Sequence, residues 1–157
     1  MPTDTSMALE DGVEQAIIAW IANSSIHGVT LGIVARQEFM DSTTELTLPA
    51  VIVKVEVQEE LAPGTGVFKL GCSVTLRTQS DDTLAASQRQ QWGNLRSILM
   101  WSDLPGAFNT WLTAQGQSLF VHENSVVHDE SMPRTESERH WEQVWRFTCW
   151  GMSQAGP

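Results

Sequence analysis

The residue types that carry out catalysis are present in this chain, but their spacing does not assemble them. Asp81 and Asp82, and again Glu59 and Glu60, are adjacent carboxylates. Such a pair divides acid and base work only when it is enclosed and its two pKa values are driven apart. Asp81 and Asp82 instead follow Ser80 at the head of a helix-like segment, where these side chains cap free backbone N–H groups. Glu59 and Glu60 stand beside a turn rich in Pro and Gly, where charge is solvated. His122 and His128 fall in one candidate strand, with no second pair at metal-ligand spacing. The glycines of "GTGVFKLG" lack the spacing of a phosphate-binding loop and lie between strands rather than ahead of a helix. There is no G-x-S-x-G run for a nucleophilic serine. Cys72 and Cys149 form no CxxC pair and are expected as buried free thiols. The sequence therefore predicts no catalytic, metal-binding or cofactor-binding residue, no cofactor, and no enzyme.

The elements that would position any site are more legible. Over residues 8–22 the apolar side chains Leu9, Val13, Ala16, Ile17, Trp20 and Ile21 recur at helical spacing, with Glu10, Asp11, Glu14 and Gln15 turned elsewhere. "IHGVTLGIVAR" holds a short strand. A hairpin over 50–78 follows, with Val51, Val53, Val55 and Val57 alternating with Ile52, Lys54, Glu56 and Gln58. After the turn "EELAPGTG", Phe68, Leu70, Cys72, Val74 and Leu76 alternate with Lys69, Gly71, Ser73, Thr75 and Arg77. Gly71, on the wet face, marks either a bulge or a close approach. A helix is predicted over 82–101, with Gly93 a position for a kink or close packing, and a short helix over 107–114. Strands are predicted over 118–129 and 139–151, the last placing Trp141, Trp145, Phe147 and Cys149 on one face. Paired strands separated by helices predict an α+β fold: an antiparallel or mixed sheet of four to five strands with helices on one face.

The totals agree. The 157 residues fit one domain, 41% hydrophobic and 18% charged. The start has no basic segment ahead of an apolar core, and "AIIAWIA" is too short to span a bilayer, so neither an export signal nor a membrane partner is expected. A net charge of -10, with Lys54 and Lys69 the only lysines, argues against a protein that wraps duplex DNA. It suits a surface past which nucleic acid slides without sticking. Seven tryptophans and no tyrosine is an uneven ratio. Trp20, Trp92, Trp141 and Trp145 fall on core faces, which leaves Trp101, Trp111 and Trp150 as candidates to meet a partner.

The strand "LPAVIVKVEV", the Gly-containing turn, the strand "CSVTLRTQSDD" and the amphipathic helix after it resemble the tail terminator, or tail completion, proteins of long-tailed bacteriophages. The order of elements over residues 8–151 is similar as well, and the motif-like part is confined to 48–82. The resemblance implies a virion protein of the tail or neck, assembled in the host cytoplasm. It implies a homohexameric ring that caps the tail tube and ends its polymerisation. Its partners would be its own copies, the tail tube protein and the head–tail connector or stopper, with DNA passing through the bore unbound. From expected exposure, the interface candidates are Glu59, Glu60, Gly64 and Gly66 at the hairpin tip. Arg77, Arg96, Arg139 and Arg146 are candidates for ion pairs between subunits, and Trp111 and Trp150 for apolar contacts. Competing readings are a head-closure or other neck component, a small α+β ligand-binding or enzymatic domain, and a host adaptor module.

Overall fold

The computed structural model describes residues 7–23, 33–36, 50–61, 63–79, 85–129, 135–136 and 140–153. In chain order the elements are α1 (Leu9–Ala22), β1 (Ile33–Arg36), β2 (Ala50–Glu60), β3 (Val67–Gln79), α2 (Ala85–Leu99), α3 (Leu104–Ala114), β4 (Leu119–Val121), β5 (Val127–His128), β6 (Thr135–Glu136) and β7 (His140–Ser153). The fold is α+β. Five strands run in the order β1-β2-β3-β7-β4, and the short β5 and β6 also pair with β7. β1 runs parallel to β2 and the other pairings are antiparallel, so the sheet is mixed.

β3 is the spine. It pairs with β7 in continuous register from Val67 opposite Met152 to Gln79 opposite His140, and with β2 on its other side. Val53, Val55, Leu70, Cys72, Val74, Leu76, Trp145, Phe147 and Cys149 line one face of these strands. Against them pack Val13, Ile17 and Ile21 of α1, Trp92, Leu95, Ile98 and Leu99 of α2, and Leu104, Phe108 and Leu112 of α3, in one buried cluster. The alternation within β2 and β3 thus specifies which face the helices cover.

The pattern breaks at both ends of β2. Ile52, expected on the wet face, is only 2% exposed. Ala50, Val51, Ile52 and Val53 are all buried where β2 lies between β1 and β3, so this stretch has the continuous apolar character of an interior strand beside a parallel neighbour. Alternation starts at Lys54, where β1 ends. At the other end Val57, expected in the core, is 42% exposed on the projecting part of the hairpin. The register shifts between Val57 and Glu59, which leaves Gln58 as the extra residue of a bulge. Its side chain lies over Gly71, where an added Cβ would collide with the Gln58 amide. The glycine thus accommodates the side chain of a bulge in the opposite strand.

Three further expectations are corrected. Glu14 is buried on α1 rather than turned away, and its Oε2 accepts from the Val55 N–H at 3.4 Å, just past the last residue paired with β1. α3 begins at Leu104, ahead of the expected 107, because Asp103 caps it by accepting from the Gly106 N–H at 3.0 Å and Pro105 suits a first turn. α2 runs without interruption through Gly93, where an added Cβ meets only the Arg96 guanidinium at 3.9 Å, so no close packing requires the glycine. The expected caps Ser80, Asp81 and Asp82 lie outside the described residues.

The free side of β4 is closed by a side chain. Asn109 of α3 donates from Nδ2 to the Val121 carbonyl and accepts at Oδ1 from the Val121 N–H, both at 2.8 Å, in the manner of another strand. Val121 is fully buried, so an Asn109→Leu substitution leaves two backbone groups unsatisfied. The expected loss of unfolding free energy in urea titration is about 2–4 kcal/mol.

Candidate interaction surface

The turn that closes the β2–β3 hairpin is held by one backbone hydrogen bond and two to side chains. The Leu61 N–H donates to the Val67 carbonyl at 2.8 Å, the Gly64 N–H to the Glu60 carboxylate, and the Val67 N–H to Thr65 Oγ1 at 3.3 Å. Gly64 and Gly66 have φ of +79° and +71°, the left-handed region that side chains disfavour. A Cβ at either would meet nothing within 4 Å, so the tip stands in open space. Glu59, Glu60, Gly64 and Gly66 are therefore brought together as expected from their sequence positions, beside the exposed Val57 and Leu61. From residue 54 to 60, β2 has a neighbouring strand among the described residues on its β3 side only. Among the described residues that stretch is an open sheet edge, the kind that accepts another strand.

The arginines divide. Arg77, expected as an ion-pair candidate between subunits, is engaged within the chain. It forms an internal pair with Glu142, its cross-strand partner on β7, with Nε 2.8 Å and Nη2 2.6 Å from Oε1. Arg146 is exposed on β7 opposite Ser73. Arg139 lies outside the described residues. Arg96 is exposed on α2, and with it stands Arg89, which sequence reasoning passed over. The two flank a pocket of about 450 Å³ that also involves Gln88, Trp92 and Gln143. Gln88 is buried and donates to Gln143 Oε1 at 3.1 Å, and the nearly buried Trp92 packs on Trp145. The i, i+7 spacing of Arg89 and Arg96, two helical turns apart with Trp92 between them, is the signal that could have found this site.

The tryptophan candidates also divide. Trp150 is 45% exposed, opposite Lys69, which is itself opposite Glu59, and its ring meets His122 edge-on at 6.4 Å. Trp111 is half-buried against the core and borders a groove of about 670 Å³ between α1 and α3, with Ala16, Trp20, Trp101, Ala107 and Thr110 among its other walls. A more polar cleft of about 580 Å³ is lined by Trp101, Asp103, Glu123, Asn124 and His128. Among the described residues, no cluster of three or more His, Cys, Asp or Glu could hold a metal ion.

No family model matches the chain, and no curated protein matches it in sequence. Among the described residues, no helix is long and apolar enough to cross a membrane.

His122 and His128 do not share a strand. A turn at Asn124, with φ of +59°, separates β4 from β5. His128 Nδ1 accepts from Trp145 Nε1 at 3.0 Å, which requires a neutral ring. Burial lowers its pKa, partly offset by Asp129. A lowered folded-state value means that the unfolded chain takes up the proton first as pH falls. The contribution of His128 to stability is thus present above the ordinary histidine value of about 6.5 and is lost as pH falls through the folded-state value. Thermal melts are expected to show a loss in Tm on acidification through this range. The loss should be smaller in His128→Asn, which keeps an acceptor for the indole without titrating there.

The two thiols are free and buried, with Sγ atoms 4.0 Å apart on β3 and β7. The contact with Cys149, followed by burial, raises the Cys72 pKa well above the usual thiol range. The thiolate is the reactive form, so Cys72 is inert in the fold. A chromogenic disulfide reagent at pH 8 is expected to leave Cys72 unlabelled in the native chain and to label it promptly in guanidinium.

Proposed function

We propose that the chain is a structural protein of a long phage tail, which caps the tail tube as a homohexameric ring, ends its polymerisation and offers the surface on which the head connector docks. The observation that carries this reading is the β2–β3 hairpin. A ladder paired with β7 along all of β3 ends in a glycine-containing turn, and among the described residues the outer half of β2 beside it has an open edge. Such an edge suits assembly by strand pairing or packing with another subunit. The acidic balance supports the same reading, because a lumen of like charge lets DNA pass without holding it. Ring formation uses the chain's own copies as partners, with the tube protein on one face and the connector or stopper on the other. A head-closure or other neck component would use the same features, and only the identity of the partner tube or portal separates the two.

The groove between α1 and α3 favours a second reading, a small ligand-binding domain, since its volume of about 670 Å³ lies in the range of small-molecule sites. Its polar groups are largely engaged within the fold: Thr110 donates to the Gly106 carbonyl of its own helix, Asp103 accepts from the Gly106 N–H, and Trp20 Nε1 donates to the Ile98 carbonyl, which leaves Asn23 as a further polar side chain on its walls.

Native mass spectrometry of the chain, alone and mixed with its tail-tube protein, tests the proposal. A hexamer, formed alone or on mixing, is the expected species. A monomer under both conditions at every concentration overturns the proposal and turns attention to the groove.

A further inference from the structure

The hairpin tip is acidic, carrying Glu56, Glu59 and Glu60, all exposed. Lys54, the cation nearest along β2, already pairs with Glu56 at 2.8 Å on the solvated face. Cations that could receive this tip are scarce: the chain has 9 against 19 acidic residues, and Arg77 is engaged by Glu142. Arg89 and Arg96 differ. Among the described residues neither forms an ion pair, and both are exposed at the rim of a formed pocket with Trp92 and the Gln88–Gln143 hydrogen bond beside them. Two guanidinium groups about a nearly buried indole, in a pocket otherwise walled by Gln88 and Gln143, present paired donors that a carboxylate-bearing strand end fits.

The tip and the pocket of one molecule cannot meet. Gln143, beside the pocket, lies opposite Leu76, whereas Glu60 at the tip lies opposite Phe68. At about 3.3 Å per residue, the two levels are roughly 25 Å apart along β3. Complementary patches at separate places on one surface produce head-to-tail contacts, which close into a ring or run on as a filament.

We propose that the acidic tip of the β2–β3 hairpin in one copy docks against the Arg89 and Arg96 pocket on α2 of the next copy, and that this contact joins successive subunits. The inference rests on the ring reading above and supplies the contact that such a ring needs. Desolvated arginine–carboxylate pairs set register and reject wrong partners, so the contact also determines which end of the hairpin meets which helix.

Sedimentation velocity, with a parallel pull-down on purified tail tubes, tests it. Four samples are compared at one ionic strength: the full chain; Glu56→Arg/Glu59→Arg/Glu60→Arg; Arg89→Glu/Arg96→Glu; and an equal mixture of the two variants. All altered residues are exposed, and circular dichroism confirms that each variant is folded. Each variant alone is expected to self-associate at least about tenfold more weakly than the parent chain. The mixture is expected to regain association, because a basic tip then meets an acidic pocket and an acidic tip meets a basic one. An oligomer unaffected by either charge reversal overturns this contact while leaving the ring reading intact. Charge-sensitive association without tube binding supports the contact and removes the tail reading. A chain that stays monomeric at every concentration, on and off the tube, overturns the contact.

Discussion

The structure depends on the ladder that β3 makes with β7. Every residue of β3 from Val67 to Gln79 has a partner on β7, and β2 pairs along the other side of β3. This double pairing fixes which side chains face the helices, because a slip of one residue would turn Leu70, Cys72, Val74 and Leu76 out to water. It also stiffens the hairpin. Among the described residues the outer half of β2 keeps one strand neighbour, β3, which β7 braces from behind, so the turn continues the sheet and is not a loose loop.

The sheet treats its edges unequally, and that inequality bears on function. Unpaired strand edges invite association, and folded proteins usually blunt them. Here the β4 side is closed by the Asn109 side chain, and the Ser125 hydroxyl accepts from the Trp150 N–H where β4 gives way to β5. Short β5 and β6 pair with the middle and start of β7. On the opposite side Glu14 supplies an acceptor to Val55, immediately after β1 stops. Beyond that point β2 carries Glu56, Glu59 and Glu60. Charged residues on an edge discourage indiscriminate strand pairing and leave association to a partner that supplies the opposite charge. An edge protected in this way is selective.

The sequence foretells most of this architecture, because the architecture is carried by periodicity. The hairpin, both long helices and the last strand are readable from alternating valines in β2, from spaced Leu, Ile and Trp in α2, and from Trp141, Trp145, Phe147 and Cys149 in β7. What is not readable depends on neighbours distant in the chain. Ile52 is buried beside a parallel strand contributed by residues 33–36, and an alternating reading of β2 hides this although Ala50, Val51, Ile52 and Val53 form a continuous apolar run. Glu14 looks like a solvated helix residue until β2 brings the Val55 N–H to it. Arg77 looks available until β7 places Glu142 opposite it. The tip is legible because Gly and Pro mark turns locally, whereas the Arg89 and Arg96 pocket needs Gln143 from β7 to complete it.

The central claim is that the outer half of the hairpin is an assembly surface, and amide hydrogen exchange at residues 54–60 tests it most directly. The exchange would be followed in the dilute chain and again in the chain assembled on tail tubes. The account predicts rapid exchange at the outward-facing amides past Val55 in the dilute chain and strong protection once assembled, with the β3–β7 ladder protected in both states. Unchanged exchange along this edge on assembly, with new protection confined to other surfaces, would contradict it.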